Sequence, residues 1–426
     1  MTEKDNKNTR VIFLDNLRVF FVLCVVLQHA ANGYIGLDWW PVSEADVSIV
    51  ANGLGAFFDA FTMPLLFYIA GYFAVPVIGK KGTARFIAGK LKRLGLPLIL
   101  VSLCICPILP FVYHYTRNDC TMVTGYWEMT LDLFHHAAQF NVGLIPSMNH
   151  LMMSNQFYQR YMWFLSLLIF FFLVFAAVYH LKPSWFQRVS KSSERKPRSA
   201  LSTVGLFLTV AVSTSILSFC VVGAMFALTP GLTNPEPLFT LGNIIQFRPS
   251  RFPLFVFYFI FGILTYRNRL IERGRFPGHS NTWLACVGIL LVPFLIAHYQ
   301  VRFGSDNTRE MSGALFFLLS NFMAISSLGL FTSLAMRYGN RPTPVSQILA
   351  ANSFQLYLTH YPFVIAFQLL FLGWTGVPVL IKFVLVSLLS TGMALVVSHY
   401  VVRPHPRITA VICIALFVGM AVTLRT

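Results

Sequence analysis

Charge is what this sequence has least of. Asp, Glu, Lys and Arg together make up 11% of its 426 residues, and only 15 side chains are acidic, whereas an ordinary soluble domain carries about 25% charged residues. A chain that is 56% hydrophobic, with mean hydropathy +0.67, cannot cover its apolar surface with so few charges, which excludes a water-soluble fold. Also missing are a glycine-rich phosphate loop, a G-x-S-x-G elbow, a C-x-x-C pair and any internal repeat. Their absence argues against P-loop chemistry, a hydrolase-type serine nucleophile, a thiolate metal site and a solenoid. Cys24, Cys104, Cys106, Cys220, Cys286 and Cys413 fall in apolar runs and Cys120 stands alone in a loop, so the cysteines read as small core residues. The polar start MTEKDNKNTR is followed by a long apolar run without a small-residue cleavage pattern, and no removable leader is expected.

What fills the sequence instead is apolar runs near the ~20 residues that a spanning helix needs. Eleven are expected, near residues 12–34, 54–78, 94–114, 162–180, 202–229, 252–266, 283–300, 312–335, 345–372, 378–401 and 408–424. The fold class is therefore all-α, a polytopic integral membrane protein. The sixth run, FPLFVFYFIFGILTY, is short, and the ninth carries Asn352, Ser353 and Gln355, which must face other helices. Alternate connections hold 24 Lys and Arg on one side, from the N-terminus through the Lys80–Arg93, Lys182–Arg198 and Arg267–Arg275 clusters to Arg403 and Arg407, against 7 on the other. The N-terminus is expected in the cytoplasm and the C-terminus outside. The same asymmetry accounts for the net charge of +17 as topogenic, so no nucleic-acid partner is expected. Two connections are long enough to hold structure. The external Tyr115–Tyr161 segment, with Trp127, Glu128, His135, His136 and His150, is placed to cap a cavity, and the internal KPSWFQRVSKSSERKPRS reads as a flexible linker.

Function is sought among polar groups that are costly where they sit, since a charge at mid-bilayer costs at least about 2.5–3.5 kcal/mol. His29 lies eleven residues beyond Arg18 in the first run, about 16 Å along a helix. His360, in SFQLYLTHYPF, lies at comparable depth. Two histidines at one depth point to one polar cavity, and an imidazole that is neutral near pH 7 suits a general base. The stretch GTARFIAGKLKRLGLP sets Arg85, Lys90, Lys92 and Arg93 at the cytoplasmic edge, with Lys90 and Arg93 spaced to share a helix face. That fork, with Arg18 approaching from the first helix, suits a phosphate-bearing ligand. Smaller expectations attach to Asp59 as a partner for a histidine, and to Trp163, Trp127 and Tyr161 as sugar-stacking or interface aromatics. Lys382 is expected to snorkel.

These residues carry a resemblance. LDNLR, with ten residues between Arg18 and His29, resembles the R-x10-H signature of the membrane acyltransferase family 3. LFYIAGYF around Gly71 resembles that family's F-x-x-S-G-Y/F-F, KLKRLGLP its R-x-x-R-x-x-x-P, and WFLSLL from Trp163 its W-F-L; VFYFIFGIL near Gly262 and LYLTHYP at His360 complete the series. The similarity spans roughly residues 11–405 and is strongest toward the glucan-biosynthesis protein C branch, which places succinyl groups on periplasmic glucans. The sequence departs from the pattern at Lys90 for the first arginine, Ala70 for the serine and Val402 where many members have glutamate before Arg403 and Pro404.

The resemblance implies a ten-helix acyltransferase domain over residues 1–405, with residues 406–426 as an additional C-terminal helix, in a bacterial-type plasma membrane. It implies acyl-CoA, acetyl or succinyl, as cytoplasmic co-substrate, an extracytoplasmic saccharide hydroxyl as acceptor, membrane lipids as surroundings and no metal. His29 is then the base or the acyl carrier, supported by His360 and Arg18. Arg18, Lys90, Arg93 and Arg85 meet the CoA phosphates, while Asp59, Trp163 and Tyr357 meet the acceptor. The competing readings are a transporter of a small anionic or sugar solute, which would call for a repeat that is not seen, and a scaffold whose histidines are dispensable.

Overall fold

The computed structural model describes residues 11–117, 126–148, 150, 157–189, 199–232, 234 and 236–423. The apolar runs are helices, because lipid offers no partner for backbone N–H and C=O groups and a spanning segment must bond within itself. In chain order they are α1 (Ile12–Asn32), α2 (Ile49–Lys81), α3 (Thr83–Lys90), α4 (Leu96–Cys104), α5 (Ile108–Thr116), α6 (Tyr126–Ala138), α7 (Trp163–Leu181) and α8 (Ala200–Leu228). There follow α9 (Phe252–Arg267), α10 (Ser280–Phe303), α11 (Asp306–Tyr338), α12 (Pro344–Leu372), α13 (Val379–Val397) and α14 (Pro406–Thr423). Among the described residues ten segments are long and apolar enough to cross a membrane, with Thr83–Thr116 counted as one, short of the eleven expected; α14 adds a shorter apolar helix over Pro406–Gly419. The chain is an all-α polytopic membrane protein. Ile289, Val292 and Ile296 form an exposed apolar stripe on α10, a surface that only lipid or another protein can cover.

The third span departs from the single helix expected over 94–114. It starts at Thr83, widens into a π turn over Leu91–Gly95, and breaks between Cys104 and Ile108, where Pro107 has no N–H to continue the ladder. The N-terminus, the α2–α3 connection and the ends of α9, α11 and α13 share what we call the basic face; the opposite side is the far face.

At the centre is α1, packed against α2, α11, α12 and α13. It runs parallel to α12, since Arg18 meets Ala350 and Ser353 while His29 meets His360 eleven residues further along α1. The motif glycines have a packing role: a Cβ on Gly71 would stand 2.0 Å from the Phe259 carbonyl oxygen, and one on Gly262 would stand 2.0 Å from that of Tyr68. Both must be hydrogen for α2 and α9 to touch backbone to backbone.

On the far face a small antiparallel sheet, not expected from the sequence, joins β1 (Val142–Ile145), β2 (Leu238–Leu241) and β3 (Ile245–Phe247). Val142 pairs with Leu241 and Phe239 with Phe247. The β2–β3 turn needs two left-handed residues and takes Gly242 and Asn243, at φ 59° and 58°. Buried Gln246 binds the Gln159 N–H at 2.8 Å and the Phe157 carbonyl at 3.0 Å, so the sheet fixes the entry to α7. Of the linker between α7 and α8, Phe186 packs on Phe175 and Tyr179, while residues 190–198 lie outside the described residues.

Candidate active site

The two histidines are in contact. His29 Nδ1 lies 2.9 Å from His360 Nε2, with the rings stacked at 5°. His360 Nδ1 is 2.7 Å from the Tyr357 carbonyl oxygen, which can only accept, so that nitrogen carries the proton. Its Nε2 is then the acceptor for His29 Nδ1–H, and His29 Nε2 is left with its lone pair. The direction of the chain, carbonyl to His360 to His29, follows from the one partner whose role is fixed.

Aromatic rings enclose the pair. Trp40, from the α1–α2 connection, and Tyr361 lie 5.8 and 5.0 Å from His29, centroid to centroid. Tyr161 stacks on Tyr361 at 4.5 Å. Tyr357 stands behind Tyr161, donating to its carbonyl at 2.5 Å, and is not on the cavity wall, whereas Trp163 is.

That wall encloses about 350 Å³ and runs from His29 to the far face, a size at the lower end of small-molecule sites. Its outer part is a charge network. Arg251 binds Asp59 at 2.6 Å and Glu236 at 3.0 Å, Arg248 binds Glu236 at 2.8 Å, and Gln28 donates to Asp59 at 2.8 Å. Asp59 thus partners Gln28 and Arg251, not a histidine. Burial alone would raise the Glu236 carboxyl, but the Arg251 and Arg248 guanidiniums outweigh it and hold it below the usual carboxylate range. Met148 and Tyr158 bring the long Tyr115–Tyr161 segment onto the wall; residues 118–125, 149 and 151–156, and the side chain of Trp127, lie outside what is described.

The cationic residues of the basic face are arranged differently from the expected fork. Arg18 donates from Nε to Ser353 Oγ and from Nη2 to the Ala350 carbonyl, both at 3.1 Å, and pairs with Asp15 at 3.3 Å. Arg93 lies 5.5 Å over the Phe354 ring, so Arg18 and Arg93 meet the same turn of α12. Lys90 does not join them: its Nζ sits 3.6 Å over Phe172 of α7. The π turn beginning at Leu91 is the reason, since its extra residue per turn rotates apart the positions i and i+3 that share a face in an α-helix. Arg85 is exposed. None of these four lines the cavity that reaches His29, and Val22, Val25 and Val26 of α1 are buried along the interval. The single pocket anticipated from Arg18 to His29 is therefore replaced by a cavity on one side of His29 and a cationic cluster on the other.

Sequence reasoning missed Trp40, Tyr361, Arg251, Arg160 and Arg302 as wall residues, having read the arginines as topological charge. It also misjudged Lys382, which is buried and paired with Glu44 at 2.8 Å rather than reaching for the interface.

Over residues 11–403 the sequence matches the acyltransferase 3 family, an acyltransferase domain. The chain belongs to this family. This acyltransferase is 23% identical over 363 residues to glucans biosynthesis protein C of Salmonella paratyphi B and of Salmonella dublin, covering 84% of the chain and 83% of each relative. The counterpart from Salmonella heidelberg is 22% identical over the same length. No solved structure matches it. Membership decides between the competing classes: the protein is a membrane acyltransferase rather than a transporter or a scaffold.

Proposed function

We propose that this acyltransferase moves an acetyl or succinyl group from cytoplasmic acyl-CoA to a hydroxyl of an extracytoplasmic saccharide, with the N-terminus in the cytoplasm and the C-terminus outside. The observation that carries the reading is the proton order Tyr357 carbonyl, His360, His29, which leaves an acceptor nitrogen at the inner end of a cavity open to the far face.

The chemistry follows from that nitrogen. His29 Nε2 takes the proton of the acceptor hydroxyl as the oxygen attacks the thioester carbonyl. The imidazolium so formed is stabilised through Nδ1–H by His360, whose own Nδ1–H is held by a backbone carbonyl and cannot turn away. The tetrahedral intermediate then expels the CoA thiolate, which recovers the proton from His29, giving ester and free thiol. Both His360 nitrogens are occupied, which favours a positioning role over oxyanion binding. The ion pair and the rings of the wall, Asp59 with Arg251 and Trp163 with Trp40, supply the mixed polar and aromatic surface that a sugar needs.

On the basic face, Arg18 and Arg93 at one turn of α12 meet the CoA phosphates, with Arg85 and Lys90 at the periphery. The acyl arm then enters between α1 and α12, where the packed valines must part. The test uses protein in sealed vesicles with radiolabelled acyl-CoA on one side only. Label is expected on a saccharide supplied outside when acyl-CoA is on the basic-face side; label appearing only when both substrates share a side would overturn the proposal.

A further inference from the structure

The last turn of α1 carries a polar side chain that neither the packing nor the proton order at His29 uses. Asn32 is 8% exposed and lines the cavity that reaches His29, yet no group among the described residues bonds its amide. Other polar side chains of that wall are committed: Gln28 donates to Asp59, Trp40 to Gln368 and Arg302 to the carbonyls of Ile35 and Gly36, while His298 meets Asn52. A buried amide without a partner costs free energy, and such a group is expected where something outside the chain bonds it. Helix capping does not account for the residue either. Asparagine suits a helix end where the chain turns left-handed, but Gly33 follows at φ −71°, and the next left-handed residue is Gly36, at φ 67°.

Asn32 stands three residues beyond His29, on the same face of α1 and about 4.5 Å further toward the far face, where the cavity opens. A sugar hydroxyl on His29 Nε2 therefore has its ring neighbours beside Asn32. The amide offers N–H donors and a carbonyl acceptor, the complement of a hydroxyl, which both donates and accepts. We propose that Asn32 selects which hydroxyl is acylated: its Nδ2–H donates to, and its Oδ1 accepts from, the hydroxyl adjacent to the one held on His29. The acceptor is then a vicinal diol presented in one orientation. This assignment rests on the acyl-CoA-to-saccharide reading above and adds the regiochemistry. Trp40 and Tyr361, whose rings flank His29, cover the sugar, and the amide sets its rotation. A site built to bond a hydroxyl rejects the analogue that lacks it, because the amide is then left buried and unpaired.

The test uses the full-length protein in nanodiscs, with acetyl-CoA as donor and, as acceptors, methyl glucoside and analogues that each lack one hydroxyl. Binding is read by tryptophan fluorescence, since Trp39, Trp40 and Trp163 line the cavity, and turnover by the ester isomers formed. The wild type is expected to give one isomer, and removing the hydroxyl adjacent to its ester should lower kcat/KM at least about tenfold. In Asn32→Ala the parent acceptor should fall by a similar factor and a mixture of isomers should appear. The penalty for the adjacent-deoxy analogue should shrink there below about threefold, since both changes remove the same interaction. Asn32→Ser, which keeps a group able to donate and accept, should restore part of the selectivity and guards against a loss of packing. Additive losses in Asn32→Ala and the deoxy analogue overturn the inference, as does an unchanged isomer ratio. Should the variants fail to fold, a wild type indifferent to every adjacent hydroxyl, in binding and turnover alike, overturns it too. Transfer to several hydroxyls at similar rates leaves the proposed function standing and sinks this inference, while binding that depends on one hydroxyl and on Asn32, without acyl transfer, does the reverse.

Discussion

Lys382 of α13 and Glu44 of the α1–α2 connection form an ion pair at 2.8 Å, with side chains 4% and 14% exposed. The same connection carries Trp40, whose Nε1 donates to Gln368 Oε1 at 2.8 Å and whose ring lies against His29. Arg117 and Arg302 cap its carbonyls from two other helices. The His29 imidazole is thus enclosed by a segment without regular structure, pinned at four points.

Removing one partner of a buried pair leaves an uncompensated charge, at a cost of about 3–5 kcal/mol. Lys382→Met and Glu44→Gln are each expected to lower the melting temperature in detergent markedly. The double variant should recover part of the loss. Additive losses in the double variant would show that the two side chains do not interact.

Gly71→Ala and Gly262→Ala should each prevent folding, although alanine is the better helix former. A methyl group 2.0 Å from a carbonyl oxygen cannot be absorbed by a side-chain rotation, so the penalty exceeds the about 1–3 kcal/mol typical of overpacking. Gly392→Ala is the control, since a Cβ there meets nothing within 4 Å. Folded yield after purification reads the difference.

The cavity mouth should weaken in acid. Glu236 is held below the usual carboxylate range in the folded protein, so its contribution to stability is complete above the unfolded value of about 4.3 and is lost as pH falls through the folded value beneath it. Thermal stability should drop on acidification, and Glu236→Gln, less stable at neutral pH, should show a shallower drop. Parallel pH profiles for the two proteins would contradict this.

His360→Leu removes the acceptor for His29 Nδ1–H, and kcat should fall at least about tenfold, equivalent to ~1.4 kcal/mol of barrier. His360→Gln keeps a carbonyl acceptor and should recover part of it. The pH profile of kcat should shift in His360→Leu, which a loss of packing alone would not cause.

The helices were legible because lipid removes the need for a polar face, so apolar length is enough to find them. The meeting of His29 and His360 was legible by counting residues from the basic face, since depth in a bilayer maps onto helical rise. The rest depended on partners far apart in sequence. Arg251 reads as one more topological charge until Asp59, 192 residues away, is seen beside it. The split of Lys90 from Arg93 depends on a π turn that no spacing rule announces. The sheet rests on strands of three and four residues, too short for alternation to register.

The central claim, that His29 is the base for acyl transfer, is tested most directly by thioester turnover in His29→Ala. Protein that inserts and melts like the wild type should lose about 10²–10⁴-fold in kcat, the usual contribution of a positioned base. Turnover within twofold of wild type would contradict the account.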